Sequence, residues 1–139
     1  MNRKMIVIFL SLVFAMVSGI LAEAKTFPLT SSPSNPAASG KVDVKKDKNG
    51  NTGVTIKTEH LAKPGMLTPP ASKYVIWFKE RDQDPANQGE LKVENSLKAE
   101  FKTTTHLQNF DVFITAESDP LTKSPVGPTV LKTKVQEVD

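Results

Sequence analysis

Apolar and polar residues alternate with a period of two along most of the chain after residue 40, which is the pattern of half-buried β-strands. The segments KVDVK (41–45) and VTIK (54–57) alternate in this way on either side of the turn sequence KNGNTG. If both strands turn their apolar residues to one side, the loop between them has an odd number of residues. A loop of Lys48–Gly50, with Gly50 at positive φ, meets this condition. The sequence therefore predicts a β-hairpin over residues 41–60.

Charged residues specify a second hairpin. If Glu94 faces Lys98, every outward pair between residues 90–94 and 98–102 joins opposite charges, and the apolar residues face one another on the other side. This register predicts a loop at Asn95–Leu97. Alternation also predicts two more strands, 110–116 and 129–138.

The stretch KYVIWFKE (73–80) departs from the alternating pattern, because five apolar residues follow one another. Such a run indicates a strand that is buried on both faces and lies centrally in its sheet. Tyr74 lies on one face of this strand, whereas Val75 and Trp77 lie on the other.

Two alternatives follow for the face that carries Trp77. In the first, the face with Val75 and Trp77 is the centre of an exposed binding surface, since exposed tryptophan is enriched at binding hot spots. Tyr74, on the same strand, is included among its predicted residues. Alternatively, a proline-rich loop, 61–72 or 118–128, folds over that face and buries it. The second alternative is favoured because it gives a packing role to three otherwise unused apolar residues: Met66, Leu67 and Leu121.

About seven short strands, proline- and glycine-rich connections and no convincing helix predict an all-β fold, an antiparallel β-sandwich of immunoglobulin-like general architecture over residues 41–139. The segment before it, 25–40, contains three prolines and several serines. These residues prevent regular pairing, so we expect a flexible tether there.

The chain begins with the features of an export signal. Asn2–Lys4 is charged, an apolar run from Met5 follows, and Ala22–Ala24 forms an A-x-A cleavage site. Residues 1–24 are therefore predicted to be a signal peptide, and the mature domain is predicted to be periplasmic or secreted in a bacterium. The alternative is an uncleaved anchor that holds the domain on the outer side of the cytoplasmic membrane, since the apolar run is close to the shortest membrane span.

Composition narrows the classes of function. The formal net charge of +3, spread over alternating strands, predicts no nucleic-acid partner. The chain contains no cysteine, which excludes disulfides, thiolate nucleophiles and zinc–cysteine sites.

The sequence contains only weak candidates for reactive groups. His60 and His106 are the two histidines, and the acidic loop at 80–84 lacks the spacing of a helix-loop-helix calcium site. Glu117 and Asp119 form a possible acid–base pair without a histidine nearby in the sequence. No nucleophile elbow or phosphate loop is present. We therefore predict no catalytic residues, no metal and no cofactor.

Several ordered motifs resemble the extracytoplasmic C-terminal domain of anti-sigma-K factors. The resemblance covers roughly residues 61–135 and rests on five segments: LTPP (67–70), YVIW (74–77), GEL (89–91), FDVFITAE (110–117) and SPVGPTVL (124–131). It implies an all-β sensory or regulatory domain outside the cytoplasmic membrane. Family members carry a sigma-binding segment before their membrane helix, whereas here only residues 1–4 precede the apolar run, so we expect this protein not to sequester a sigma factor itself.

Three functions remain open at this point. The first is an exported binding or regulatory module with an unidentified protein or cell-envelope partner. The second is a structural or surface-matrix protein, which alternating charges and the tether would suit. The third is a metal protein or enzyme built on His60, His106 and the acidic loop. The first is favoured, and contact with a membrane is expected only if the N-terminal segment is retained.

Overall fold

The fold is all-β, as predicted. A computed structural model describes residues 24–136, which contain eight strands, one short 3-10 turn and no α-helix. The strands are β1 (Lys25–Ser31), β2 (Ser39–Lys46), β3 (Thr52–Glu59), β4 (Lys73–Lys79), β5 (Ala86–Leu91), β6 (Ala99–Thr105), β7 (Phe110–Glu117) and β8 (Thr129–Val135), with the 3-10 turn at Pro64–Met66 between β3 and β4. The predicted signal peptide lies outside the described residues apart from Ala24.

All eight strands belong to one antiparallel sheet in the order β5-β4-β7-β8-β1-β2-β3-β6. β1 joins the two halves, because Lys25–Leu29 pair with β2 whereas Thr30 and Ser31 pair with β8. The sheet therefore curls into a nearly closed barrel, with β5 and β6 as its edges. Residues 24–136 form eight strands where about seven were predicted, and these strands belong to one sheet rather than two.

The segment predicted as a flexible tether, 25–40, is instead part of the sheet. Phe27 and Leu29 alternate with polar or exposed neighbours as they do in any strand, and Leu29 is buried. Pro28 is tolerated because residues 25–29 are paired on one side only. The prolines that prevent pairing are confined to the turn after Ser31.

The first hairpin is confirmed. Lys46 pairs with Thr52, and the Asp47 amide donates to the Asn51 carbonyl over 2.8 Å, which leaves Lys48–Gly50 as the three-residue loop. Gly50 has the positive φ that the turn requires, at 79°.

The second hairpin is confirmed in its loop and wrong in its ladder. Asn95–Leu97 do form the turn, since the Glu94 amide donates to the Lys98 carbonyl over 2.8 Å and Leu97 has a φ of 63°. Beyond the turn the two strands separate, because β5 pairs with β4 and β6 pairs with β3. Residues 90–94 and 98–102 therefore do not form the predicted register.

The charges of the second hairpin find other partners. Glu90 meets Lys73 of β4 at 3.4 Å, and Glu100 meets Lys102 of its own strand at 3.3 Å. Exposed ion pairs contribute only about 0–1 kcal/mol each. They do not compete with the backbone ladders and buried side chains that β4 and β3 provide.

β4 occupies the predicted central position. It lies between β5 and β7, and its residues Tyr74–Phe78 are all buried. Its inward side chains join the core that the curled sheet encloses, together with these fully buried residues: Val42, Ile56, Leu61, Val112, Ile114, Leu131 and Val135. The outward side chains of β4 need a separate cover, and the structure supplies one.

Candidate functional site

The three residues predicted as a binding surface lie inside the protein. Tyr74, Val75 and Trp77 each have 0% of their surface exposed. Tyr74 belongs to the enclosed core, whereas Val75 and Trp77 lie on the outer side of the sheet. The alternative in which a loop covers that side is the one that the structure adopts.

The hydroxyl of Tyr74 forms two hydrogen bonds with segments that pack on the core. Its hydroxyl donates to the Ala62 carbonyl at 2.5 Å and accepts from the side-chain amide of Asn35 at 3.5 Å. Burial disfavours the charged phenolate and raises the pKa of Tyr74 to about 12, although the Asn35 hydrogen bond opposes this. The tyrosine therefore acts as a neutral link between the segment after β3 and the turn after β1.

Trp77 begins a chain of buried hydrogen bonds. Its indole N–H donates to the Thr115 hydroxyl over 2.8 Å, and that hydroxyl donates to Glu117 Oε1 over 2.7 Å. The Trp77 ring also stacks on Phe113, with ring centroids 6.3 Å apart and planes inclined by 16°. The polar edge of the tryptophan is thus satisfied without contact with solvent.

Glu117 carries this chain into the loop between β7 and β8, residues 118–128, which we call the covering loop. Its Oε1 accepts from the amides of Val126 and Gly127, each at 3.0 Å, and Oε2 accepts from Gly127 at 3.0 Å. A carboxylate that accepts several backbone N–H groups makes charge-assisted bonds, which are stronger than neutral ones. The side chain is 4% exposed, so these contacts are shielded from water.

Gly127 fits against β7 only because it has no side chain. A Cβ at this position would lie 1.7 Å from the Ala116 carbonyl oxygen. The backbone of the covering loop therefore lies directly on the end of β7, and the Ala116 amide donates to the Pro128 carbonyl over 3.0 Å.

Asn87 holds the other arm of the covering loop. Its side-chain amide donates to the carbonyls of Pro120 and Thr122, each over 2.9 Å. Its Oδ1 accepts from the Gly89 amide at 2.8 Å, next to the irregular pairing of β4 with β5. Two polar side chains on different strands thus fix both arms of the loop over Trp77.

The covering loop directs apolar side chains outward. Leu121 is 82% exposed and Val126 is 84% exposed. The expectation that Met66 and Leu121 would pack over Trp77 is therefore wrong, and only Leu67 of the three predicted residues is buried. Polar anchors hold the cover in place, which leaves the apolar tips of the loop free.

The two histidines and the acidic loop do not come together in one site. His106 lines a surface pocket of about 500 Å³ together with the acidic loop residues Glu80 and Asp82. Even so, no group of three His, Cys, Asp or Glu side chains within residues 24–136 is arranged to hold a metal ion. His60 directly follows β3, has a φ of 53° and does not line this pocket.

Glu117 and Asp119, the acidic pair at the end of β7, both accept hydrogen bonds from backbone amides of the covering loop. Glu117 binds Thr115 and the amides described above, and Asp119 Oδ1 accepts from the Leu121 amide at 2.9 Å. Each carboxylate is hydrogen-bonded to the protein itself.

Asn87 and Gly127 were not identified as important from the sequence. The one available signal was the glycine between Pro125 and Pro128, since a glycine in such a segment often marks a close approach of backbone. Nothing in the sequence around Asn87 reveals its contact with Pro120, which lies 33 residues away.

Comparison with known proteins gives no relative. No protein-family model matches the sequence, no curated protein matches it, and no solved structure matches the fold. Between residues 24 and 136 there is also no helix long and apolar enough to cross a membrane.

Proposed function

We propose that this protein is an exported, non-enzymatic binding or regulatory module that contacts a protein partner through the covering loop. The observation that carries the proposal is the exposure of Leu121 and Val126 on a backbone that Glu117 and Asn87 hold in place. Apolar side chains on a fixed loop lose little conformational entropy when they bind, which favours association.

The resemblance to the outer domain of anti-sigma-K factors supports a regulatory role. Three of the motifs that carry it contribute to one network here, since Trp77, Thr115 with Glu117, and Gly127 are linked by hydrogen bonds. On this proposal the halves β1-β2-β3-β6 and β1-β8-β7-β4-β5 correspond to the two layers of an immunoglobulin-like sandwich. Residues that carry the resemblance thus hold the covering loop in place, and this supports a role for the loop in the proposed regulatory function.

The proposal also places the domain outside the cytoplasmic membrane, either free after cleavage of residues 1–24 or attached by them. The intact mass of the native protein in soluble and membrane fractions distinguishes the two. A soluble species that begins at Lys25 is expected for the free module. A full-length species in the membrane would instead make the protein a tethered sensor.

The binding role is tested with the double variant Leu121→Ser/Val126→Ser. Both side chains point into solvent, so the free energy of unfolding should change little. Met66→Ser is the matched control, because Met66 is 76% exposed and lies on a different connection. Cross-linking in envelope extracts of the native host should give a protein adduct with the wild type and with Met66→Ser, and not with the double variant. An adduct that forms equally well with all three would remove the covering loop from the proposal.

A further inference from the structure

A second surface feature lies on the outer side of β7 and β8. It is an open groove of about 550 Å³, lined among others by Thr30, Asp111, Phe113, Lys132 and Lys134. Strand pairing sets Phe113 beside Lys132, and Lys132 beside Thr30. The groove therefore crosses three strands.

Phe113 gives the groove an aromatic surface. One side of its ring stacks on Trp77 of β4, so the other side is directed toward β8 and the groove. The side chain is only half-buried. A flat, partly exposed ring of this kind can pack against the C–H groups of a sugar ring, and the hydroxyl of Thr30 can hydrogen-bond to sugar hydroxyls.

Cations surround this ring. Lys132 and Lys134 are exposed on β8, and neither forms an ion pair with another side chain in the described part of the chain. An adjoining pocket of about 510 Å³ shares Lys134 with the groove and adds Lys79 and Arg81. Asp111 is the one acidic residue that lines the two pockets. In the strand register it lies opposite Lys79 on one side and Lys134 on the other. Four cations thus outnumber one carboxylate.

The four cations are spread over a surface that is long enough for several anions to bind at once. Lys132 and Lys134 are two residues apart on β8, so their Cα atoms are separated by about 7 Å. Lys79 and Lys134 are two strands apart, so their Cα atoms are separated by about 10 Å. Lysine side chains are long and flexible, so two neighbouring lysines can share one anion, but a single phosphate or carboxylate does not engage all four cations of the groove and the adjoining pocket. A polymer that carries an acid group on successive units can do so.

We propose that this groove binds an acidic polysaccharide, with a sugar ring on Phe113 and its acid groups on Lys132 and Lys134. A lipid surface fits less well, because none of the exposed large apolar side chains (Met66, Leu97, Leu121 and Val126) lines the groove. A single-stranded nucleic acid fits less well too, because its bases stack on successive aromatic side chains and Phe113 is the sole aromatic residue lining the groove. This site is separate from the covering loop and goes beyond the function proposed above.

The test measures binding of the purified native protein to polygalacturonate, with the neutral polysaccharide dextran as the uncharged comparison. The variant Lys132→Glu/Lys134→Glu reverses both charges of the groove. Lys45→Glu/Lys57→Glu is the matched control, since it makes the same change of net charge at two exposed lysines on β2 and β3. We expect about a tenfold or larger loss of affinity in the groove variant, because two contacts become repulsive, and a much smaller loss in the control.

Salt and the aromatic ring give a second readout. Binding by the wild type should weaken as salt rises, and the groove variant should depend less on salt. Phe113→Leu keeps an apolar side chain but removes the flat ring, so it should weaken binding at every salt concentration and leave the salt dependence unchanged.

Four results would overturn the proposal. The first is no binding of polygalacturonate by the wild type, and the second is equal binding of dextran. The third is an equal loss of affinity in the groove variant and its control, which would indicate a general charge effect. The fourth is stronger binding to vesicles of anionic lipid than to polygalacturonate, which would assign the groove to a membrane surface. Leu121→Ser/Val126→Ser should bind polygalacturonate as the wild type does, so failure of either proposal leaves the other testable.

Discussion

Replacing Gly127 by alanine should detach the covering loop from the sheet. The added Cβ would lie 1.7 Å from the Ala116 carbonyl oxygen and 2.9 Å from its carbon, and neither backbone atom can rotate away. The loop must therefore move outward, which breaks the bonds from the amides of Val126 and Gly127 to Glu117 and exposes one side of Trp77.

The magnitude follows from the area that is exposed. A tryptophan buries about 150–250 Å². If about half of this, roughly 100 Å², becomes exposed, the cost at about 25 cal/mol per Å² is about 2.5 kcal/mol. Water replaces the amides at Glu117 only in part, which adds about 1 kcal/mol. We expect Gly127→Ala to lower the free energy of unfolding by about 3.5 kcal/mol, which is less than the total stability of a typical domain, so the protein remains folded.

Fluorescence reports this change directly, because Trp77 is the single tryptophan of the chain. In the folded wild type its emission should be blue-shifted and poorly quenched by acrylamide, as expected for a fully buried ring. Gly127→Ala should shift the emission to the red and increase quenching without denaturant, and urea unfolding should show the lower stability.

Gly65→Ala is the control for this experiment. A Cβ at Gly65 meets nothing within 4 Å, so the variant should keep the emission of the wild type and a stability within about 0.5 kcal/mol of it. If Gly127→Ala had the emission and stability of Gly65→Ala, the covering loop would not be what shields Trp77.

Two further predictions concern single residues. Tyr74 is the only tyrosine, so tyrosinate absorbance should titrate near pH 12 in the folded protein and near pH 10 in urea. Because the folded pKa is the higher one, the contribution of Tyr74 to stability is complete below pH 10 and is lost as the pH rises toward 12; a folded-state titration near pH 10 would contradict this. Leu97 has a φ of 63°, a region that asparagine tolerates better than leucine. Leu97→Asn should therefore raise the free energy of unfolding, measured by urea denaturation, by up to about 1 kcal/mol. A decrease of more than about 1 kcal/mol would contradict backbone strain at this position.

Local patterns predicted much of the fold. The alternation around Lys48–Gly50 was sufficient for the first hairpin, because the strands on both sides pair with each other. The continuous apolar run of β4 predicted its central position, since both of its faces are in fact covered. In these cases the decisive interactions lie within a few residues or within one strand.

The failures arose where distant strands compete for the same partner. The charges of residues 90–102 fit a local ladder, but β3 and β4 offer β6 and β5 ladders whose side chains are largely buried. Proline content suggested a tether at 25–40, whereas Phe27 and Leu29 alternate with exposed neighbours as residues of a strand do. The covering loop was expected as an apolar lid, whereas Asn87 and Glu117 fix it by hydrogen bonds to distant backbone, which leave no periodic signal in a sequence.

The pairing of β1 with β8 has a consequence for the order of folding. Thr30 and Ser31 of β1 pair with Lys132 and Leu131 of β8, about 100 residues further along the chain. The sheet therefore cannot be completed until both strands are present. Contacts between residues so distant in sequence form late and make folding slow. If the protein is exported, this delay keeps the chain unfolded and competent for transport until β8 is available to pair with β1, and that pairing commits the domain to its native form.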